Sequence, residues 1–151
     1  MMRCIIFDSG PLGLVLQRPG HPQADACRQW MLGHLAAGCR VILPEIIDYE
    51  IRRELLRLNK QTAIELLDGF AAADPERFLP LASDDLLLAA QLWADTRRSG
   101  APTADRHALD IDVILAAQVL NMGLQSDEFV VATSNVSHLA RFVPAREWPA
   151  I

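Results

Sequence analysis

The sequence Cys4-Ile-Ile-Phe-Asp-Ser-Gly-Pro11 is a short apolar run followed by an acid and then by a Ser-Gly-Pro segment that ends the apolar pattern. Four consecutive apolar residues that end at a polar side chain are typical of a strand buried on both faces of a parallel sheet. Asp8 then stands at the carboxyl-terminal end of that strand. We therefore expect a parallel sheet with Asp8 at the edge where ligands bind.

Outward from this strand, the chain alternates between helical and strand patterns. The segment Val41-Ile-Leu43, for example, is a short apolar strand, and an apolar stripe at helical spacing follows it over 44–58. The other predicted helices cover 22–38, 61–73, 83–100 and 109–122, and Ser83 is the predicted N-cap of the third. The other predicted strands cover 77–81, 128–132 and, at the edge of the sheet, 142–143. This order predicts a single α/β domain over 1–151, a three-layer α/β/α sandwich around a parallel sheet of four to five strands.

The composition is that of an ordinary globular domain, with 151 residues, 51% hydrophobic and 22% charged. The net charge of −5 argues against a surface that as a whole attracts nucleic acid, so a polyanion would have to be bound locally. Basic residues gather at Arg52, Arg53, Arg57 and Lys60. They form either a local phosphate-binding surface or a solvated helix face on which Glu54 pairs with an arginine.

Nothing in the sequence predicts insertion into a membrane. The longest stretch without a charged side chain covers 113–126, fourteen residues, whereas a bilayer span takes roughly 20. The apolar run before Asp8 is also too short for a signal peptide, so we expect a cytoplasmic protein. The three cysteines have no paired spacing and are expected to be free thiols.

Acids and polar residues recur where the predicted fold would bring them together. Asp8 follows the first strand, and Thr133 and Asn135 follow the strand over 128–132. Helices that begin near the same edge could add Glu50 and Asp112. Carboxylates gathered in this way repel one another unless a cation neutralises them, and oxygen ligands without His or Cys favour Mg²⁺ or Mn²⁺. Hydrolysis of a phosphodiester bond is the reaction that such ions serve.

Each acid also has a structural interpretation that the residues alone leave open. Asp8 could cap the segment that follows it, and Glu50 could be a solvated helix residue like Glu54. Asp110 fits an N-cap better than a ligand. Asp112 lies two residues into an otherwise apolar helix, which favours a functional role.

Four motifs in order resemble the PIN-domain nucleases, specifically the VapC-like toxins. They are Phe7-Asp-Ser-Gly-Pro-Leu12, Pro44-Glu-Ile-Ile-Asp-Tyr-Glu-Ile-Arg-Arg-Glu-Leu55, Leu109-Asp-Ile-Asp-Val-Ile-Leu-Ala-Ala-Gln118 and Val131-Ala-Thr-Ser-Asn135. No single motif is specific, but their order and spacing cover essentially the whole chain.

This resemblance implies a metal-dependent endoribonuclease that acts on RNA, often the toxin of a toxin–antitoxin pair. Such toxins are usually homodimers, each neutralised by a small antitoxin protein whose tail enters the active-site groove. Asp8, Glu50 and Asp112 match the three acids that hold Mg²⁺ or Mn²⁺, and Asp110 stands where a supporting acid can occur. The remaining supporting or substrate-contacting residues are Ser9, Thr133, Asn135 and His138.

His138 departs from the family pattern, Thr-x-Asn-x-x-Asp, in which an acid is usual at this position. The sequence therefore leaves open whether one or two metal ions bind, and it leaves a rival function: a catalytically weak PIN-like module that binds RNA or protein. A receiver-like signalling domain would need a lysine late in the chain, but Lys60 is the only lysine, which argues against this class of protein. Phosphate-loop, dinucleotide-binding, zinc-protease and esterase motifs are all missing from the sequence.

Overall fold

The computed structural model describes residues 1–100 and 106–151 and shows a five-stranded, all-parallel sheet. The strand order is β3-β2-β1-β4-β5, so the first strand lies at the centre. The strands are β1 (Cys4–Phe7), β2 (Arg40–Pro44), β3 (Phe78–Leu79), β4 (Phe129–Ala132) and β5 (Ala145–Arg146). The predicted fold class is confirmed.

Helices connect and flank the strands. They are α1 (Ser9–Val15), α2 (Pro22–Ala36), α3 (Glu45–Arg57), α4 (Gln61–Ala72), α5 (Ser83–Arg98), α6 (Arg106–Leu120) and α7 (Val136–Leu139), with a short 3-10 helix at Trp148–Ala150. No helix within the described residues is long and apolar enough to cross a membrane.

The order of the strands decides which helices share a face of the sheet. The chain moves from β1 to β2 to β3 in one direction and then returns past β1 to β4 and β5. Right-handed crossovers therefore place α1 to α4 on one side and α5 to α7 on the other. On the first side the Phe7 ring stacks on the rings of Trp30 and Phe70, and the ring centroids lie 5.9 Å apart in both pairs. On the second, α6 buries Leu115 and Val119.

Helix α1 was not predicted from the sequence. It starts at Ser9, directly after β1, and the Asp8 carboxylate caps it by accepting a hydrogen bond from the Ser9 backbone N–H. Gly10 and Gly13 lower the helix propensity of this segment and interrupt the apolar pattern by which a helix is recognised in a sequence. The burial of Leu12 and Val15 against the core supplies the stability that the local sequence lacks.

The last strand is Ala145–Arg146, and the prediction of a strand over 142–143 is wrong. Phe142 and Val143 close a turn, since both of their backbone N–H groups donate to the carbonyl of Leu139. Pro144 lacks an N–H group, but its carbonyl accepts from Val131, and the ladder with β4 begins there.

Two predicted helix starts also need correction. Ala82 rather than Ser83 is the N-cap of α5, and the Asp85 carboxylate accepts a hydrogen bond from the Ala82 N–H at 2.8 Å. Helix α6 begins at Arg106, so Asp110 lies within it and is not its N-cap. A serine before two acids is typical of an N-cap, which explains the first difference, and in the second an acid inside the helix was taken for its boundary.

Candidate active site

Asp8 and Thr133 meet because β1 and β4 are neighbours in register. Phe7 lies opposite Ala132, and the Asp8 N–H donates to the Ala132 carbonyl at 3.0 Å. The Thr133 hydroxyl donates to Asp8 Oδ2 at 2.6 Å, and the Ser9 N–H donates to Asp8 Oδ1 at 2.8 Å. Both oxygens of this buried carboxylate are thereby fixed. Burial raises the pKa of Asp8, and these two hydrogen bonds oppose the rise.

Glu50 reaches the same edge from α3. This helix starts directly after β2, which is paired with β1, so it passes beside the start of α1. Partial burial raises the pKa of Glu50, a hydrogen bond from the Ser9 side chain lowers it, and the Asp8 charge raises it again. Ser9 therefore links Asp8 and Glu50, through its backbone to one and its hydroxyl to the other.

Asp112 completes the group from α6 on the other side of the sheet. It is only 8% exposed. Burial, followed by the charge of Asp8, raises the pKa of Asp112 to about 7, with Glu50 adding to the rise and Arg141 opposing it. Asp8, Glu50 and Asp112, which we call the acid cluster, thus act on one another although they come from three distant segments.

His138 and Asn135 approach the acid cluster from α7. His138 Nδ1 lies 3.8 Å from Asp112 Oδ2, so the imidazole belongs to this site. Asn135 is exposed at the N-cap position of α7, and its backbone N–H donates to Thr133 Oγ1 at 2.9 Å. The Thr133 hydroxyl therefore accepts from the start of α7 while it donates to Asp8.

Asp110 is not brought to the acid cluster, in contrast to its expected supporting role. Two residues along a helix correspond to a rotation of about 200°, so Asp110 and Asp112 leave α6 on opposite sides. Asp110 is exposed and lines a shallow groove between α5 and α6, beside Leu86 and Trp93.

The chemistry of the acid cluster fits a hard divalent cation. The available donors are carboxylate oxygens, which suit Mg²⁺ or Mn²⁺. A bound cation would relieve the repulsion by which Asp8 and Glu50 raise the pKa of Asp112. Within residues 1–100 and 106–151, no three His, Cys, Asp or Glu side chains are already spaced as a metal site. Coordination would therefore need these side chains to draw closer together.

Two arginines beside the acid cluster were not assigned to it from the sequence. Arg53 lowers the pKa of Glu50, and Arg141 lowers that of Asp112. Arg53 was noticed only as part of a basic group, and Arg141 stands alone in the sequence. Its position three residues after His138, one turn away, is the only signal that could have indicated it.

A groove of about 680 Å³ lies where α3 passes α1 and α4. Ile51, the residue after Glu50, forms part of its wall together with Leu55 and Leu66. Arg18 and Lys60 also line the groove. The groove is therefore lined by apolar side chains together with polar ones, two of which are basic.

Comparison with known proteins extends only to solved structures. No protein-family model matches the chain, and no curated protein matches it. A chain in the crystal structure of VapBC2 from Rickettsia felis, bound to a DNA fragment from their promoter, is similar at a TM-score of 0.71 and 12% identity, over 96% of this chain and 98% of that one.

Two further structures are similar over the same extent. A chain of FitAcB from Neisseria gonorrhoeae matches at a TM-score of 0.68 and 18% identity, over 97% of this chain and 99% of that one. A chain of DNA-bound VapBC from Salmonella typhimurium matches at a TM-score of 0.65 and 18% identity, over 98% and 99%. These similarities establish that the chain has the fold found in VapBC and FitAcB structures, which is the fold that its sequence motifs implied.

Proposed function

We propose that the protein is a divalent-cation-dependent endoribonuclease and the toxin of a toxin–antitoxin pair. The observation that carries the proposal is the acid cluster itself: three acids from three segments, gathered at the carboxyl edge of a parallel sheet. Burial raises the pKa of all three, and the charge of Asp8 adds to the rise at Glu50 and at Asp112. Asp8 also caps α1, but that role needs neither Glu50 nor Asp112 beside it, whereas a cation site needs several carboxylates together.

In this proposal Asp8, Glu50 and Asp112 hold Mg²⁺ or Mn²⁺. The bound ion would activate a water molecule and neutralise negative charge on the phosphate under attack. Asp8 is held in one orientation by Thr133 and Ser9, and Ser9 also orients Glu50. Asn135 and His138 stand beside the cluster, where they can contact RNA or a water molecule that the ion carries.

The comparisons support an antitoxin as the partner. The similar chains belong to VapBC and FitAcB structures, two of them solved with DNA. We propose that a segment of a small antitoxin occupies the groove between α1, α3 and α4. Apolar side chains would pack on Ile51, Leu55 and Leu66, and acidic ones would pair with Arg18 and Lys60. An antitoxin bound there would contact Ile51, the residue after Glu50.

We also propose a homodimer. Leu56 and Leu58, near the end of α3, are largely exposed and lie outside the lining of the groove. Large apolar side chains left exposed in this way commonly mark a surface that a partner covers. Light scattering should give twice the monomer mass of 16.7 kDa, and a mass equal to the monomer at all concentrations would contradict the dimer.

Cleavage of RNA by the purified protein tests the proposed activity. We expect single-stranded RNA to be cut with Mg²⁺ or Mn²⁺, cutting to stop with EDTA, and activity to return when the metal is restored in excess. The rival function, a catalytically weak binding module, is favoured by His138 in place of an acid and by the lack of a formed ligand set within the described residues. RNA binding without metal-dependent cleavage would support the binding module over the nuclease.

A further inference from the structure

Two arginines lie beside the acid cluster, one near Glu50 and the other near Asp112. Arg53 lies on α3, one turn after Glu50, with its guanidinium carbon 5.2 Å from the centroid of the Tyr49 ring. Arg141 follows α7 and donates from Nε to the carbonyl of His138 at 3.1 Å. Arg53 is close enough to Glu50, and Arg141 to Asp112, for each to lower the pKa of that acid. Both arginines are exposed.

Neither arginine is neutralised by an ion pair with a carboxylate in the part of the chain that the structure describes. The other two arginines of α3 behave differently. Arg57 pairs with Glu54, and Arg52 binds Asp48 at 2.8 Å and Asp68 at 2.6 Å. Because neither guanidinium is paired with a carboxylate, Arg53 and Arg141 can turn their remaining N–H groups to phosphate oxygens without first breaking an ion pair.

Tyr49 adds an aromatic surface at the Arg53 side. Its side chain is 54% exposed, although it lies directly before Glu50. Tyr49 and Arg53 are four residues apart and share one side of α3, which lets the guanidinium lie over the ring. An exposed ring beside a phosphate-binding arginine is the combination by which proteins hold an unpaired base and its backbone.

We infer that Tyr49, Arg53 and Arg141 form a binding surface for single-stranded RNA that runs across the acid cluster. Arg53 and Arg141 bind phosphates on either side of the one to be cleaved, and Tyr49 stacks on a base at the α3 side. The inference rests on the proposed ribonuclease function and identifies how the substrate strand is positioned. These side chains are positioning residues, since the acid cluster carries the chemistry.

The chemistry of this surface favours a single strand over a duplex. Bases in a duplex are stacked on one another and are not available to Tyr49, whereas a flexible single strand can turn one base onto the ring. The expected occupant is therefore an unpaired RNA segment of at least three nucleotides.

The test is binding of a fluorescein-labelled 12-nucleotide RNA without secondary structure, measured by anisotropy in EDTA so that no cleavage occurs. Each phosphate contact with a single strand contributes about 0.7 to the slope of log affinity against log salt. Arg53→Gln and Arg141→Gln should each reduce that slope by about 0.7. Tyr49→Leu should weaken binding by about tenfold with the slope unchanged, and Tyr49→Phe should bind like the wild type.

Arg57→Gln is the matched control, because it removes the same charge from the same helix at an arginine that is already paired with Glu54. Equal effects of Arg57→Gln and Arg53→Gln would show that only net charge matters and would overturn the inference. Tighter binding of a duplex of the same sequence, unaffected by Tyr49→Leu, would also overturn it. Circular dichroism of each variant should match the wild type, and Tyr49→Phe provides a folded comparison if Tyr49→Leu does not.

Kinetics separate this inference from the proposed function. If the wild type cleaves RNA, Arg53→Gln and Arg141→Gln should raise KM with little change in kcat, because they act before the chemical step. Loss of kcat with KM unchanged would refute a positioning role. A wild type that binds RNA with the expected salt slopes but never cleaves it would refute the proposed function and support the binding surface.

Discussion

The Thr133 hydroxyl donates a 2.6 Å hydrogen bond to Asp8 Oδ2, although the two residues are 125 positions apart in the chain. A hydroxyl that donates to a carboxylate at this distance makes a strong, charge-assisted bond. The same oxygen of Thr133 accepts from the Asn135 N–H. One side chain therefore joins the central strand, β4 and the start of α7, and fixes the first acid of the cluster.

Thr133→Val should destabilise the protein and weaken metal binding. Valine keeps the shape but leaves a buried oxygen of Asp8 without its donor, a loss worth about 1–3 kcal/mol. The pKa of Asp8 should rise further because one of the bonds that opposes the rise is gone. Urea unfolding and a Mn²⁺ titration measure the two effects. Thr133→Ser should behave like the wild type, and a valine variant as stable as the serine variant would contradict this role.

Asp112 should make the metal-free protein less stable as the pH rises. Its pKa is about 7 in the folded protein against an ordinary value of 3.8, so the folded state binds the proton more tightly. The stability gained in this way is complete below about pH 4 and is lost as the pH rises through about 7, up to about 4 kcal/mol. In EDTA at pH 8, Asp112→Asn should therefore be more stable than the wild type.

Chemical unfolding between pH 4.5 and 8.5 measures this dependence. Asp110→Asn is the control, because Asp110 is an exposed acid on the same helix, away from the acid cluster. The Asp110 variant should follow the wild type, and the Asp112 variant should lose less stability over the range. Identical pH profiles for Asp112→Asn and the wild type would place Asp112 outside the repulsive cluster.

Glu50, and not Glu54, should be the metal ligand of α3. Glu54 is paired with Arg57, and that bond lowers its pKa, whereas the pKa of Glu50 is raised beside Asp8. Loss of an outer-shell partner lowers the activity of a metal site by roughly 10- to 100-fold, and Glu50→Gln should lower activity by at least that much. Glu54→Gln should stay near the wild type in the same cleavage assay. A larger loss at Glu54 would reverse the assignment.

His138→Asp should strengthen metal binding. The imidazole lies 3.8 Å from Asp112, so a carboxylate there would add an oxygen ligand and a negative charge to the cluster. The Mn²⁺ concentration for half-maximal cleavage should fall by about tenfold, since ligand charge tunes affinity. The melting temperature in EDTA should also fall because of added repulsion. His138→Gln, which adds no charge, should show neither change, and an unaltered metal requirement in His138→Asp would exclude position 138 from the site.

The sequence predicted the parts of the site that follow strands. A continuous apolar run that ends in an acid or a threonine places that residue at the sheet edge, and Asp8 and Thr133 lie there. The pairing of Glu54 with an arginine also followed from helical spacing and is confirmed with Arg57. These features depend on local periodicity, which a sequence displays directly.

Features that depend on packing between distant segments were missed. Helix α1 contains two glycines and is stabilised mainly by the burial of Leu12 and Val15. His138 was assigned to the site only through the resemblance, because its approach to Asp112 depends on how α7 docks beside α6 and the spacing of residues does not reveal that. Asp110 was assigned a supporting role from the resemblance, but the rotation between it and Asp112 on one helix separates the two side chains.

The most direct test of the account is a calorimetric titration of Mn²⁺ into the purified protein at pH 8. The wild type and Asp110→Asn should bind Mn²⁺ saturably and Asp112→Asn should not, because binding needs the charge of the acid cluster and not merely a negative charge on α6. Absence of binding to the wild type, or equal binding by Asp112→Asn and the wild type, would contradict the claim that Asp8, Glu50 and Asp112 form a cation site.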